Sequence, residues 1–176
     1  MTRHSFIFHL GITILCAAAL NSCAGYSIQG RSKPAAMKNV QRIHVPLFEN
    51  ETITIRGESI ATNSMTDAIL LDGTYVLSGI DGADAILRGK LANISYNQVR
   101  ATRLDTLRSE EMQNTVTLSW ELIDAKNPIK VIKSGISRGT SRFAIDANQQ
   151  TARNNALPDA MQRACKQIIG RLTDDY

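Results

Sequence analysis

The chain has 176 residues, 43% hydrophobic and 20% charged, a balance that excludes an intrinsically disordered protein. Its formal net charge is +4 without aromatic-basic interleaving, which argues against nucleic acid as a partner. Residues 6–20 form the longest apolar run, short of the ~20 that a helical span needs, and nothing later matches it, so a polytopic membrane protein is excluded.

Residues 1–22 have the layout of a secretory signal. Arg3 supplies a basic start, the apolar run follows, and small residues lead into Cys23. Leu20-Asn21-Ser22-Cys23 resembles the lipobox of bacterial lipoproteins, with an aliphatic residue three before the cysteine and a small one just before it. Asn21 departs from the Ala, Ser or Thr usual there, and an ordinary cleaved signal with a chance cysteine is the other reading. Acylation of Cys23 would supply three chains, more than the two anchors that stable membrane attachment takes. Ala24, where Asp would signal retention in the inner membrane, resembles sorting to the outer membrane.

Cleavage of 22 from 176 residues leaves 154, enough for one domain with its own core. The expected division is a signal peptide over 1–22, a lipidated N-terminal segment over 23–40 and a single domain over 41–176. Cys16 leaves with the signal and Cys23 sits at the cut, so only Cys165 remains inside the domain. No disulfide framework is then possible within one mature chain, and no C-x-x-C pair or zinc ligand cluster is present. No cofactor is expected beyond a covalent lipid on Cys23. The small positive balance suits an anionic partner such as lipopolysaccharide, and equally suits ordinary surface solubility.

In chain order, residues 42–48 alternate, with Ile43, Val45 and Leu47 on one face. Pro46 removes a ladder donor, which predicts an edge position or a bend. Arg56-Gly57-Glu58 opens a helix whose Ala61, Met65, Ala68 and Ile69 share a face, and Asp72-Gly73 ends it. A short strand is expected over 75–77 and a turn region over 78–84. Ala85, Leu87 and Leu91 then share a strand face. The apolar parity switches to Ile94 and Tyr96, predicting a bulge or bend near Asn93.

Residues 100–111 are polar and charged and predict a long hairpin loop. Val116, Leu118, Trp120 and Leu122 define the clearest strand, with Thr115, Thr117, Ser119 and Glu121 on its other face. Lys126-Asn127-Pro128 makes a turn. Residues 129–143 return as a strand, expected to be irregular at Gly135 and Gly139. Residues 148–155 read as a polar approach to a last helix. There Leu157, Met161, Ala164, Cys165, Ile168 and Leu172 fit one face, and Pro158 must lie in the first turn or kink the helix. The order β-α-β-β-β-α predicts an α/β (α+β) two-layer sandwich: a mixed four-stranded sheet with two helices on one face and a polar second face.

The residues give little support to catalysis. His44 is the single histidine left after cleavage, and no serine or cysteine motif places a nucleophile beside it. Cys165 falls on an apolar helix face and reads as a packing residue. Glu110-Glu111 and Asp174-Asp175 read as solvated charge, and no glycine-rich phosphate loop opens a helix. A protein without enzymatic activity is expected.

Several segments together resemble the lipopolysaccharide-assembly lipoprotein family, the LptE-like proteins. Cys23-Ala24-Gly25-Tyr26-Ser27-Ile28-Gln29-Gly30 resembles that family's C-G-Y-x-L-x-G opening, and Val45-Pro46-Leu47-Phe48-Glu49-Asn50 its V-P-x-F-x-N strand. Glu58 leads the helix as the family's glutamate does. Ala83-Asp84-Ala85-Ile86-Leu87-Arg88-Gly89 resembles its A-D-A-x-L-x-G strand entry. The likeness runs from about 23 to 172 in the right order. Ala24, inserted after the cysteine, and Pro158, at the start of the last helix, depart from the family pattern.

The resemblance implies an outer-membrane lipoprotein that sits as a plug inside a large LptD-like β-barrel. It implies support for assembly of that barrel and for placing lipopolysaccharide in the outer leaflet, with direct contact to the lipid as a further expectation. The hairpin geometry adds a candidate contact. Arg103 and Arg108 belong to the end of the sheet where the 129–143 strand finishes at Arg142, with Arg153 as a further member. Arginine pairs with phosphate in bidentate geometry, so this cluster would meet lipid phosphates; a solvated loop end is the other reading. A pure barrel scaffold and a barrel-independent periplasmic lipid-binding lipoprotein remain as alternatives.

Overall fold

The computed structural model describes residues 34–102, 105–144 and 148–173, and for 100–102 and 105–110 the backbone alone. The expected signal peptide and most of the 23–40 segment lie outside the described residues. After a 3-10 turn at Ala35–Met37 come strands β1 (Arg42–His44) and β2 (Glu49–Asn50), helix α1 (Gly57–Asp72) and strand β3 (Val76–Leu77). A second 3-10 turn at Ile80–Gly82 leads into β4 (Ala85–Thr102), β5 (Asp105–Asp124), β6 (Val131–Ala144) and helix α2 (Gln149–Thr173).

The sheet order is β3-β1-β4-β5-β6, and β2 pairs with β4 further along. β1 runs parallel to β3 and β4, and β2 parallel to β4, while β4, β5 and β6 are antiparallel. The sheet is therefore mixed, with two helices, and the expected α+β class holds. The strand count is six rather than four. Pro46 has no amide hydrogen for a ladder, so the alternating run over 42–48 does not continue as one strand. Only its first part, Arg42–His44, is a strand; 45–48 is irregular, and β2 follows at Glu49–Asn50.

Local chemistry accounts for the element ends. Gly73 takes φ 72° and donates its amide to the Ile69 carbonyl at 3.1 Å, closing α1. The parity switch in β4 is a bulge between Leu91 and Asn93, as the sequence predicts. The expected loop over 100–111 is instead a continuation of the hairpin, with β4 reaching Thr102 and β5 starting at Asp105. Ladder bonds join backbones, so polar side chains do not stop them. The register slips repeatedly between Gln98 and Thr102.

α2 begins six residues before Asn155, at Gln149, so the expected polar approach is helical. Asn148 accepts the Thr151 amide on its Oδ1 at 3.1 Å, which caps the helix. Pro158 therefore lies within the helix and beyond its first turn. It cannot bond the Asn154 carbonyl, but Asn154 is exposed and water can take that acceptor.

The glycines of β6 do not mark irregularities, because the one slip in its pairing with β5 lies between Leu122 and Ile123. Gly139 instead provides clearance. A Cβ there would fall on the carbonyl oxygen of Ala160 and the amide nitrogen of Ala164, so α2 lies directly on the strand.

The core lies between the helices and one sheet face. Ile43, Leu87, Leu91, Leu118 and Leu122 from the sheet meet Met65 and Ile69 of α1 and Met161, Ile168 and Leu172 of α2, all at 0–1% exposure. Each such side chain contributes roughly 1.5–3 kcal/mol on burial. The Tyr75 hydroxyl donates to the Leu172 carbonyl at 2.7 Å and ties the end of α2 to the loop before β3. Burial, then the neighbouring Asp72 charge, pushes the Tyr75 phenol up to about 12.

Candidate functional site: the open sheet face

Strand parity builds the site. In β5 the even-numbered side chains from Met112 to Leu122 are buried beneath α2, and the odd-numbered ones turn to the opposite face. The register aligns Asn93 and Arg138 on either side of Thr117, Ser95 and Thr140 beside Thr115, and Asn97 and Arg142 beside Gln113. This face is a polar surface of amides, hydroxyls and two arginines, as the alternation in β5 predicts. At its other end a broad open depression of about 600 Å³ is lined by Glu49, Arg88, Lys90, Glu121, Ser134 and Ile136 among others.

The cations of this face fall into two groups. Lys90 Nζ lies 3.0 Å from both Glu49 and Glu51, and their hydrogen bonds, Glu49 first, raise its pKa. Arg88 pairs with Glu121 at 3.7 Å. Arg138 and Arg142 are exposed on β6 and have no ion-pair partner among the described residues. They stand four residues apart on one strand face, about 13 Å along it.

The expected arginine cluster is only partly within view. Arg103 lies outside the described residues, and of Arg108 only the backbone position in β5 is described. That position is five residues beyond Gln113, the partner of Arg142, and so about 17 Å further along the strand at the same end of the sheet. Arg153 is elsewhere. Its guanidinium carbon lies 4.7 Å from the centre of the Tyr96 ring, on the helix-covered face. Tyr96 also meets Phe143 edge to face at 6.3 Å. The sheet thus stands between Arg142 and Arg153, and the structure does not bring these two together. Arg138 was missed in the sequence, although it shares strand parity with Arg142 and could have been read from it.

The other titratable groups have structural roles. His44 Nδ1 donates to the Ser78 carbonyl at 3.1 Å. Cys165 is buried, and desolvation pushes its thiol up to about 12. Asp84 accepts the Arg42 guanidinium at 3.1 Å and the amides of Arg42 and Gln41 at 2.9 and 3.1 Å. These bonds, the Arg42 side chain first, hold its carboxyl down at about 2. Among the described residues no cluster of His, Cys, Asp or Glu is arranged to hold a metal ion. Asn114 is fully buried on the helix face, and neither polar atom of its side-chain amide has a hydrogen-bond partner among the described residues. Cys23 lies outside the described residues.

The architecture defines a class: a two-layer α+β domain with one sheet face under helices and the other left open and polar. The chain belongs to the LptE family, lipopolysaccharide-assembly, which matches it over residues 40–172. Three solved structures share the fold. A dodecamer of a PelC point variant from Paraburkholderia phytofirmans is 18% identical, with 81% of this chain and 96% of that chain covered and a TM-score of 0.53. The hypothetical protein CT253 from Chlamydia trachomatis is 8% identical, with coverage of 75% and 95% and a TM-score of 0.53. Protein XCC0632 from Xanthomonas campestris is 11% identical, with coverage of 76% and 84% and a TM-score of 0.52. At these identities the likeness is one of fold alone. No curated protein matches the chain.

Proposed function

We propose that this chain is an outer-membrane lipoprotein, acylated at Cys23 and facing the periplasm. It plugs a large LptD-like β-barrel, supports its assembly, and helps insert lipopolysaccharide into the outer leaflet through direct contact with the lipid. The observation that carries this reading, beside membership of the family, is the open sheet face. Thr115, Thr117, Ser95, Asn93 and Asn97 give it hydrogen-bonding groups with little net charge. The interior of a large membrane barrel is polar, so a face of this kind can enter it without stranding apolar surface.

Lipid phosphates would be met by Arg103, Arg108 and Arg142, with Arg138 beside Arg142 on the same strand face. Arg138 and Arg142, without a carboxylate partner among the described residues, remain available to an anion, and guanidinium binds phosphate in bidentate geometry. No cofactor takes part; the covalent lipid on Cys23 is the anchor.

Depletion of the protein in its own cells tests the reading. Lipopolysaccharide at the cell surface should fall while total lipopolysaccharide is maintained, and the folded barrel should become scarce. Normal surface lipopolysaccharide after complete depletion would sink it.

A further inference from the structure

The buried side-chain nitrogens and oxygens without a hydrogen-bond partner among the described residues all lie in one place. They are Oδ1 and Nδ2 of Asn114 on β5 and Nε of Arg153 on α2. The register sets Tyr96 of β4 and Ser141 of β6 on either side of Asn114. Arg153 stacks on the Tyr96 ring at 4.7 Å, and the Ser141 hydroxyl donates to the Ala156 carbonyl at 2.7 Å. The turn of α2 from 153 to 156 therefore roofs Asn114. A buried amide without partners gives up water and gains no bond in return, so this roof closes against a penalty.

The helix is fastened unequally on the two sides of Pro158. Beyond it, α2 meets Gly139 backbone to backbone and buries Met161, Cys165, Ile168 and Leu172. Gln167 Oε1 there accepts the Arg138 amide at 2.8 Å, and Arg171 Nη1 donates to the Ile136 carbonyl at 2.7 Å. Ahead of Pro158, Ala156 and Leu157 are the buried residues. Beside the Ser141 bond and the Arg153 stack, Gln149 Nε2 lies 3.6 Å from Met112 Sδ, a weak acceptor. Pro158 has no amide hydrogen for the Asn154 carbonyl, so the helix is one bond short where its fastening changes.

We infer that residues 149–157 form a strap hinged at Pro158, which lifts from the sheet as a unit while the rest of α2 stays docked. Lifting lets water reach the Asn114 amide and Arg153 Nε, which offsets part of the lost burial of Ala156 and Leu157. It also uncovers Tyr96 and Phe143, which meet edge to face at 6.3 Å on the same face as Asn114. The inference concerns this domain alone and does not depend on the barrel reading.

Hydrogen exchange of the full-length lipoprotein in mild detergent, read by mass spectrometry, tests it. The amides of 153–157 should exchange as one group, roughly 100-fold or more faster than those of 161–172. Equal protection on the two sides of Pro158, or a smooth gradient along the whole helix, overturns the strap. A second measurement separates lifting from fraying at the helix end. Fraying leaves residue 114 covered, whereas lifting wets it. Asn114→Val replaces the partnerless amide with an apolar group, so it should slow exchange of 153–157 roughly tenfold. Exchange of 153–157 that is unchanged or faster in a folded Asn114→Val protein overturns the role given to Asn114, and the strap with it.

Discussion

Gly139 of β6 and Ala160 of α2 meet backbone to backbone, with no side chain between them. The contact sets how closely α2 lies on the sheet, and hence how fully Val116 and Leu118 are covered. A methyl group at 139 has only backbone to push against, so Gly139→Ala should cost about 1–3 kcal/mol, and a valine more. Gly135→Ala should cost less than Gly139→Ala. Its added Cβ meets side chains instead, Arg171 Nη1 and Trp120 Cζ2 at 3.1 Å, and Arg171 is exposed and can move. Urea denaturation of the two variants measures the difference, and equal midpoints would contradict the packing account.

Arg142 and Arg153 should separate binding from stability. Arg142 is exposed on the open face, so Arg142→Glu, combined with Arg103→Glu and Arg108→Glu, should weaken lipopolysaccharide binding while the melting temperature holds. Arg153 stacks on Tyr96 under the helix face. Arg153→Ala should lower stability by about 0.5–1 kcal/mol and leave binding intact. Binding assays on both variants, read beside thermal melts, decide this; unchanged binding in the triple variant would end the phosphate role.

Acid should loosen the end of the sheet where β1 meets β4. The Asp84 carboxyl is held at about 2 against its usual 3.8 by Arg42 and the amides of residues 41 and 42. A depressed folded value means that the contribution is complete above the unfolded value and is lost as pH falls from about 4 toward 2. Asp84→Asn removes that group, so stability measured between pH 4 and 2 should fall less steeply than in the unaltered protein. Parallel profiles would show that Asp84 does not contribute to the acid response.

Cys165 should be inert to thiol reagents in the folded protein. It is buried, and its thiol is pushed up to about 12 by desolvation, so almost no thiolate exists at pH 8. Mass spectrometry of the Cys165 peptide should find it unlabelled in the native protein and fully labelled after unfolding in urea. Rapid native labelling would contradict its place in the core.

The parts of this fold that alternate between core and solvent were legible in the sequence. Val116, Leu118, Trp120 and Leu122 declared their face by period two, and Met161, Ala164, Cys165 and Ile168 by the helical period, because half-buried elements must carry that pattern. The hairpin beyond Glu111 was not legible, since backbone ladders hold it and its polar, charged sequence carries no alternating pattern. The first turns of α2 were hidden for a related reason. Residues 149–155 are mostly exposed and polar, and a proline at 158 fits a first turn better than a helix interior, which hides Asn148 as the cap.

The site was legible to the same degree. The polar face of β5 followed from parity, and the place of Arg142 followed from the hairpin, which ends its strand at that end of the sheet. The position of Arg153 depended on where α2 begins, and a late start moved it to the wrong side of the sheet.

Purification of the full-length protein from its own envelope in mild detergent tests the central claim most directly. The account predicts a stoichiometric complex with a large β-barrel and an acylated Cys23. Isolation of the acylated lipoprotein alone, with the barrel present in the same membranes, would contradict it.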